Sequence, residues 1–525
     1  MDAVYMPGSG STATKLAVTA LSCALAWRLW RFTVQPRLLH PDEPKELPYW
    51  IPYVGHAASF FMGFNGAIEK GRNYFAPSRA PFAMTVAGQT IYIATSADDI
   101  NTVWKTSKAI SLNPITMDMY VWGGLSPRSR AAMFEPHPRA QYNERNARPL
   151  TPTQMTIELH HQQLHSGPGL DAFVEDKVVP GLFAGLALDD ERCAAVRARE
   201  GKDVVVSLLD LTVELFIAQS TTSYFGPALL ELAPDLVSSF MAWEYVNWKF
   251  LFQLPDVFAR DMLAAKKAIT DAFTGYYRLP RSERPGAVGF VTDLEDMLRE
   301  VGLSEDEMGN FTLLHYWAVV GNVYKLAFWL TAHLVHNPTL LSQIRDEVLP
   351  AVQGHSVDER YLTEQCPKLD SLVGETLRLT VTSSLARVVM ETCVVGGKTL
   401  RAGNKIMLPI KELHYDPSIW ASTPSTLTPA RFLAAPKLAK SASYRPWGGG
   451  HTLCPGRFLA RRSVNAFIAI LLSRYDVALD LDQAPALASA TAPFPKSDGA
   501  RPSPGVVPVG QGEDVRIRLS PRAQA

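Results

Sequence analysis

Cys454 stands in a loop whose composition suits a metal-binding thiolate. Residues 445–457 read RPWGGGHTLCPGR, with three consecutive glycines before the cysteine and an apolar, helix-forming sequence after it. Glycine loses more backbone entropy on ordering than any other residue, so such a run is plausible where the chain passes close to something broad and flat. A cysteine just before a helix N-terminus has its thiolate favoured by the helix dipole. A thiolate can ligate iron and push electron density toward it.

Composition and charge exclude several other kinds of site. The chain has 525 residues, and its 51 basic and 51 acidic side chains cancel, which indicates no nucleic-acid partner. The 47% of hydrophobic residues is enough for a large core. None of the five cysteines forms a C-x-x-C pair, so the sequence predicts neither a zinc site nor a disulfide framework. A reducing compartment fits the catalytic part best.

The cysteine loop resembles the haem-binding signature of the cytochrome P450 family, aromatic-Gly-x-Gly-x-x-x-Cys-Pro-Gly. The matching places are held by Trp447, Gly448, Gly450, Cys454 and Gly456. The resemblance implies a haem b cofactor whose iron has Cys454 as its axial ligand, with the other four residues shaping the binding loop. It runs from about residue 47 to residue 519, and the motifs around the cysteine are its most specific part.

Two more motifs support this resemblance. Glu375 and Arg378 have the E-x-x-R spacing, which places both side chains on one face of a helix, where they can pair. Residues 429–432 (PARF) resemble the family's P-E-R-F, and residues 414–417 (HYDP) resemble its H-x-D-P. By resemblance, Glu375, Arg378 and Arg431 form a buried ion network that supports the haem loop. The planar fork of arginine suits such a network better than lysine does.

Behind the haem the loop departs from the family pattern. Many members have a basic residue two positions before the cysteine, where it pairs with a haem propionate; here that residue is Thr452, preceded by His451. The branch that contains sterol 7-alpha-hydroxylase and prostacyclin synthase resembles this chain in lacking the arginine. Arg387 precedes a strand in the region where the family commonly places a propionate ligand, so it is a cofactor-binding candidate, with a surface arginine as the alternative.

The long helix in front of the haem departs from the pattern as well. The family motif A-G-x-D/E-T places an acid and an alcohol beside bound dioxygen, whereas this chain has Gly321 and Asn322 there. Asn322 can hydrogen-bond a distal oxygen or a water but cannot ionise, and Gly321 leaves room above the iron. We take both as catalytic candidates; for Asn322 the alternative is a polar residue of helix packing. Phe328-Trp329 further along strengthens the likeness to the branch named above.

The resemblance implies a monooxygenase that hydroxylates or oxidises a lipophilic small molecule, such as a terpenoid, sterol or polyketide, in secondary metabolite biosynthesis. Its implied partners are NADPH-cytochrome P450 reductase and a membrane. The alternative is a haem-thiolate isomerase or dehydratase of an oxygenated lipid, which needs no reductase. A non-enzymatic haem sensor fits poorly with retention of Glu375, Arg378, Arg431 and Cys454. Expected pocket-lining residues are Tyr316, Val320, Gly321, Tyr324, Ser383, Ser384, Leu385 and residues 504–508.

The N-terminus predicts a membrane anchor. Residues 16–27 are almost purely apolar, which is short of the roughly 20 residues of a full span, and Arg28, Arg31 and Arg37 come after them. Arginines on that side of the segment favour a cytoplasmic location for the downstream part of the chain. No small-x-small site precedes them, which favours an anchor over a cleaved signal peptide. We expect a single-pass protein of the endoplasmic reticulum whose catalytic domain is cytoplasmic.

The pattern of elements predicts a mainly α fold with a smaller β portion (α+β). The expected domains are a membrane anchor at 1–35, a proline-rich hinge at 36–52 and a haem-thiolate catalytic domain at 53–525. Residues 82–96 predict a β-hairpin, and Ser304 with Glu307 has the capping-box spacing at the start of a helix that runs to His336. The other expected elements are helices at 208–224, 229–248, 261–277, 339–349, 369–379 and 458–475 and a strand at 515–519.

Overall fold

A computed structural model describes residues 12–144, 146–188, 193–421, 423–481 and 493–522. The chain divides into two compact units. The first, called here the β-rich unit, contains the residues up to Leu112 together with Ser384–Glu412. The second, the helical unit, contains Asn113–Ser383 and the residues from Leu413 onward. The predicted mainly α fold with a smaller β portion is confirmed.

Twenty-five α-helices lie in the described residues. In chain order they are α1 Thr12–Leu29, α2 Gln35–Leu38, α3 Ala57–Met62, α4 Phe64–Tyr74, α5 Ala97–Lys105, α6 Asn113–Gly123, α7 Pro127–Phe134, α8 Pro152–Leu164, α9 Pro168–Phe173, α10 Val179–Gly185, α11 Leu208–Val213, α12 Gln219–Phe225, α13 Ala228–Leu232, α14 Leu236–Leu251, α15 Arg260–Arg278, α16 Gly289–Glu300, α17 Glu305–Val320, α18 Val323–Val335, α19 Pro338–Val348, α20 Glu359–Glu364, α21 Pro367–Thr380, α22 Ile410–His414, α23 Pro417–Trp420, α24 Arg431–Ala434 and α25 Arg457–Arg474.

Fourteen strands lie in the same described residues. They are β1 Lys45–Glu46, β2 Phe82–Val86, β3 Gln89–Ile93, β4 Ile110–Ser111, β5 Val196–Glu200, β6 Asp203–Ser207, β7 Val352–Gln353, β8 Ser356–Val357, β9 Ser384–Val389, β10 Cys393–Val395, β11 Lys398–Leu400, β12 Lys405–Pro409, β13 Tyr475–Leu479 and β14 Arg516–Pro521.

The β-rich unit is built on a six-stranded sheet in the order β1-β2-β3-β12-β9-β4. The predicted hairpin is present, with Phe82 opposite Ile93 in the antiparallel pair β2–β3. Its two turn residues, Ala87 and Gly88, both have positive φ, at 50° and 81°. Two-residue hairpin turns with this backbone match the right-handed twist of the strands they join. Every residue of β2 is buried, so this strand lies in the core of its unit, whereas the turn and Gln89 are exposed.

The helical unit has its core around the long apolar segment 305–335. Helices α15 and α17 approach closely at Gly309, where an added Cβ would lie 2.5 Å from the Thr274 Oγ1 atom and 2.8 Å from the Thr270 carbonyl oxygen. A four-stranded sheet in the order β13-β14-β6-β5 completes this unit, with the short pair β7–β8 as a separate two-stranded sheet. The contact at Gly309 involves backbone atoms, which cannot move aside as a flexible side chain can.

We expect Gly309→Ala to lower the free energy of unfolding by about 1–3 kcal/mol, because overpacking against backbone forces the helices apart. The matched control is Gly289→Ala, at the start of α16, where nothing lies within 4 Å of the added methyl. There alanine should be neutral or stabilising, since glycine is the poorer helix former. Urea unfolding of both variants measures the difference. Equal stability of the two variants would contradict the close approach of α15 and α17.

The prediction of one uninterrupted helix from Ser304 to His336 is wrong at its centre. Its start is as expected, with a capping box formed by Ser304 and Glu307. It stops at Val320, and α18 begins after Asn322, which has the non-helical backbone angles φ −127° and ψ −34°. The Asn322 side chain accepts a hydrogen bond from the backbone of another segment, and such competition with the helix favours a break.

The prediction of a single helix at 229–248 is also wrong, because two helices are present there. Pro234 lies between α13 and α14, and a proline removes a backbone donor and clashes with the preceding turn. In contrast, the segment 208–225 runs through α11 and α12 with a π-helical stretch, Glu214–Ala218, between them. The helix expected after the cysteine is present as α25, and the expected final strand is present as β14.

The N-terminal segment forms a helix in the described residues from Thr12 onward; residues 1–11 of the predicted anchor lie outside them. Helix α1 contains no buried residue. Within the described part of the chain, one segment is long and apolar enough to cross a membrane, Glu305–Val335, and 72% of its most apolar stretch is buried in the protein. That burial is typical of a core helix. In the proline-rich segment, β1 pairs with β2, and Leu47 and Tyr49 are buried.

Candidate active site

Cys454 is held at the entrance to α25 by hydrogen bonds on both sides. Its backbone N–H donates to the Trp447 carbonyl at 3.0 Å, and its own carbonyl accepts from Arg457 Nη1 at 2.8 Å. Burial raises the pKa of the Cys454 thiol, while the N–H groups of Gly456 and Arg457 and the Arg457 charge act in the opposite direction. A metal cation in direct contact overrides burial, since a coordinating thiol is deprotonated outright. The site therefore suits a metal-bound thiolate.

The glycines before the cysteine allow the loop to turn. Gly448 and Gly450 have φ values of 74° and 60°, a left-handed backbone that side chains disfavour. Between them Gly449 is extended, and Gly450 begins a single 3-10 turn that ends at Thr452. Thr452 donates its hydroxyl to the Gly449 carbonyl at 3.1 Å, so it stabilises the turn itself. The run of glycines is thus explained by backbone geometry at two positions.

The structure brings Glu375, Arg378 and Arg431 together in the helical unit. Arg378 donates from Nε and Nη2 to the two Glu375 carboxylate oxygens, each at 2.8 Å. Arg431 Nε lies 3.0 Å from both of these oxygens. Glu375 and Arg378 are fully buried, and the backbone N–H of Thr428 donates to the same carboxylate at 3.1 Å. One carboxylate therefore receives hydrogen bonds from two arginines and a backbone amide, which is the condition for a buried ion to be tolerated.

This network reaches the cysteine loop through His414. Arg378 Nη1 donates to the His414 carbonyl at 2.7 Å, and His414 Nε2 accepts the backbone N–H of Arg445 at 3.0 Å. Burial lowers the pKa of His414 to about 3, which keeps the imidazole ring neutral, so that Nε2 can be the ring nitrogen without a proton. Arg445 is the first residue of the glycine-rich loop. The sequence indicated His414 only as part of the H-x-D-P motif. Its position in that motif was the one signal that could have pointed to its contacts with Arg378 and with the cysteine loop.

The Asn322 side chain links the C-terminal loop at Val506 to the break between α17 and α18. Its Oδ1 atom accepts the backbone N–H of Val506 at 2.9 Å. The same loop pairs with the end of α21, where the Val507 N–H donates to the Thr380 carbonyl at 2.7 Å. Gly321 ends α17, and its N–H donates to the Trp317 carbonyl. The Oδ1 atom of Asn322 therefore accepts a hydrogen bond within the protein. The amide nitrogen of Asn322 is the group that can donate to a ligand or a water.

We expect Asn322→Ala to lower the free energy of unfolding by about 1 kcal/mol, because the Val506 N–H loses its acceptor. Asn322→Asp is the matched control, since a carboxylate oxygen can accept the same hydrogen bond. Hydrogen exchange at the Val506 amide should accelerate in the alanine variant and stay slow in the aspartate variant. Equal exchange in both would show that the side chain does not hold this loop.

The other predicted residues are divided between the two units. Arg387 lies on β9 of the β-rich unit with only 6% of its surface exposed, so it is not a surface arginine, and burial lowers the pKa of its guanidinium. Tyr316 lines a small apolar cavity in the helical unit, with room for about one water molecule, and shares a hydrogen bond with Thr221. Val320, Tyr324 and Ser383 are buried in the helical unit, whereas Ser384 and Leu385 belong to β9.

The chain is similar to known proteins in sequence and in fold. Residues 231–494 match the family model described as Cytochrome P450. "Cytochrome P450 monooxygenase poxD" of Penicillium oxalicum is 24% identical over 461 residues, which cover 84% of this chain and 88% of that protein. Prostacyclin synthase of Rattus norvegicus is 31% identical over 206 residues, 35% of this chain and 41% of that one. Among solved structures, the haem domain of cytochrome P450DA aligns with a TM-score of 0.64 at 16% identity, covering 92% of this chain and 99% of that chain.

Proposed function

Since this chain belongs to the cytochrome P450 family, we propose that it is a haem-dependent monooxygenase that hydroxylates or oxidises a lipophilic small molecule, such as a terpenoid, sterol or polyketide, in secondary metabolite biosynthesis. The observation that carries the proposal is the match to a protein named a monooxygenase over 84% of this chain. Ligand sites of such enzymes are mainly apolar with few polar groups. The small cavity beside Tyr316 shares only the apolar lining of such sites.

Cys454 is the proposed axial ligand of the haem iron. When bound, a haem with a thiolate ligand supplies the oxidising power for oxygen insertion. The N–H groups of Gly456 and Arg457 lower the pKa of the Cys454 sulfur and so favour its negative charge. Trp447, Gly448 and Gly450 shape the loop that carries it. Arg387 is the proposed partner of a haem propionate, a function that its burial as a cation supports.

The proposed task of Asn322 is to hold a water on the oxygen side of the haem. Its Oδ1 atom is engaged by Val506, so its two amide N–H groups are the donors available for that water. An asparagine cannot itself supply a proton, so it can only position the water that does. The expectation that Gly321 opens room above the iron is not supported, because an added Cβ there would lie 2.5 Å from the Trp317 carbonyl oxygen, so the missing side chain makes room for Trp317.

The partners of the family in general are a redox partner and lipophilic substrates. For this chain we propose NADPH-cytochrome P450 reductase, a membrane anchor at 1–35, a hinge at 36–52 and a catalytic domain at 53–525. The location would be the endoplasmic reticulum, with a single span and a cytoplasmic catalytic domain. The unburied helix α1 and the arginines after its apolar run support the anchor.

A reconstituted assay tests the proposed reaction. Purified haem-containing protein with NADPH-cytochrome P450 reductase should oxidise NADPH faster in the presence of a lipophilic substrate and yield a product that gains one oxygen atom. Gly321 and Asn322, which replace an acid and an alcohol, favour the second candidate, an isomerase or dehydratase of lipid hydroperoxides or endoperoxides. That enzyme would convert such a lipid without NADPH or reductase. Conversion that is independent of both would therefore reject monooxygenation.

A further inference from the structure

A second cavity of the helical unit has an unusual polar floor. It lies among α14, α18 and the C-terminal segment 498–508, and its enclosed space of about 20 Å³ has room for about one water molecule or one ligand oxygen. Its walls include Trp248 and the prolines of that segment, which are apolar. The lining residues are Glu244, Tyr245, Asn247, Trp248, Lys325, Asp498, Arg501, Pro502, Ser503, Pro504 and Pro508. Only Pro504 and Pro508 were expected from the sequence to line a pocket.

An ion pair forms the floor of this cavity. Lys325 Nζ on α18 lies 2.6 Å from Glu244 Oε2 on α14, and their side chains are only 2% and 3% exposed. Burying two charges is costly unless hydrogen bonds satisfy the remaining oxygens and protons. The hydrogen-bond donors and acceptors around the pair therefore show which groups a ligand could still bind.

Glu244 has its acceptors filled by the protein. Its Oε1 atom accepts from Trp317 Nε1 at 2.9 Å and from Asn247 Nδ2 at 2.8 Å. Its Oε2 atom accepts from the Tyr324 hydroxyl at 3.1 Å, in addition to the contact with Lys325. Four donors around one carboxylate leave little capacity for a ligand, so Glu244 is not the group that would bind one.

Lys325 is in the opposite situation. An ammonium has three N–H groups, and among the residues that the structure describes Glu244 is its one ion-pair partner, with no other oxygen accepting from it. At least two donors are thus left on a side chain that is 1% exposed and lines the cavity. A ligand oxygen in the cavity would satisfy them.

The charges around the cavity decide what kind of oxygen fits. Lys325 is neutralised by Glu244, and at the rim Arg501 lies 3.4 Å from Asp498 and donates to the Tyr245 carbonyl at 3.1 Å. The four charges sum to zero. A carboxylate ligand would add an unmatched charge to this site, whereas a neutral acceptor meets the free donors at no such cost.

We infer that this cavity binds the polar end of the substrate through an uncharged oxygen, a ketone, ester or hydroxyl, which accepts a hydrogen bond from Lys325 Nζ. The inference rests on the proposed function for the substrate being lipophilic, and it narrows that class to molecules already oxygenated at one end. Lys325 is then a specificity-determining residue. Lys325 could not be identified from the sequence, because the sequence shows neither that this lysine is buried nor that its partner lies on α14.

The test compares probes of equal chain length by titration calorimetry on the haem-containing protein, without reductase or NADPH. The probes are 2-dodecanone, n-dodecane and dodecanoate. We expect the ketone to bind at least about tenfold more tightly than the alkane, the range of a hydrogen bond to a charged donor. Equal binding of the ketone and the alkane would mean that the cavity holds water only and would overturn the inference. Tightest binding of dodecanoate would overturn its uncharged character.

Two matched double variants assign the effect to Lys325. Lys325→Gln with Glu244→Gln keeps an N–H donor on an uncharged floor, whereas Lys325→Met with Glu244→Gln removes the donor at similar volume. The preference for the ketone should survive in the first and disappear in the second; its survival in both would overturn the inference. Should the methionine variant fail to fold, a crystal structure of the wild-type protein with 2-dodecanone decides, since its oxygen must lie within hydrogen-bonding distance of Lys325 Nζ.

The calorimetry involves no turnover, so this inference and the proposed function can fail separately. Lys325-dependent ketone binding combined with no NADPH-dependent oxidation would leave the cavity site standing and reject the reaction. Oxidation of lipids that shows no dependence on Lys325 would do the reverse.

Discussion

Replacing Cys454 with serine is expected to abolish the strongly red-shifted Soret band of the reduced carbon monoxide complex. That shift depends on electron donation from a thiolate, and a serine hydroxyl does not ionise to replace it. The N–H groups of Gly456 and Arg457, which favour the charged form of the cysteine, would have a neutral oxygen beside them in the variant. Monooxygenase activity should fall to background along with the band. Absorbance spectra of the reduced protein with and without carbon monoxide provide the measurement.

The control for this experiment is Cys393→Ser. Cys393 is a free cysteine on β10, partly buried as Cys454 is, and belongs to the β-rich unit. The control variant should keep the full red-shifted band. If Cys454→Ser also keeps it, the iron has a different ligand, and the proposed site is wrong at its centre.

The second large effect is expected from Glu375→Ala. This change leaves Arg378, which is fully buried, and Arg431 without their shared carboxylate. Removing one partner of a buried ion pair typically costs about 3–5 kcal/mol, because the remaining charge is left uncompensated in the interior. We expect a loss of that size in the free energy of unfolding, together with poor haem retention, since the network extends to the cysteine loop. Urea unfolding and the haem content per chain measure the two effects.

The matched control is Glu364→Ala on α20. Glu364 pairs with Arg360 at 3.0 Å, but both side chains are largely exposed, at 51% and 84%. Exposed pairs contribute little, so this variant should unfold like the wild type and keep its haem. A similar loss of stability in both variants would mean that burial does not decide the strength of the Glu375 network.

Local sequence signals predicted the parts of this fold that local physics determines. The capping box at Ser304 and Glu307 depends on residues three positions apart, and the hairpin of β2 and β3 depends on its two turn residues, so both could be predicted. The division between α13 and α14 was also predictable, because Pro234 was visible in the sequence. The prediction of a single helix there gave too little weight to the proline.

Contacts between distant segments explain what the sequence could not predict. The break at Asn322 depends on the N–H of Val506, and the burial of Lys325 depends on Glu244. Neither partner is near its counterpart in the chain, and no periodic pattern links them. The resemblance of the loop around Cys454 to a known signature did identify the candidate metal ligand, because all of its information lies within a few residues.

The hydrogen bond from the Arg445 amide to His414 gives the buried network an observable of its own. That amide proton can exchange with solvent only when the histidine moves away, and the histidine is held through its carbonyl by Arg378. Its exchange rate therefore reports how readily the contact between the buried network and the cysteine loop opens. A single backbone position, monitored by hydrogen–deuterium exchange, would show how often the metal-binding loop is released from the helix that supports it.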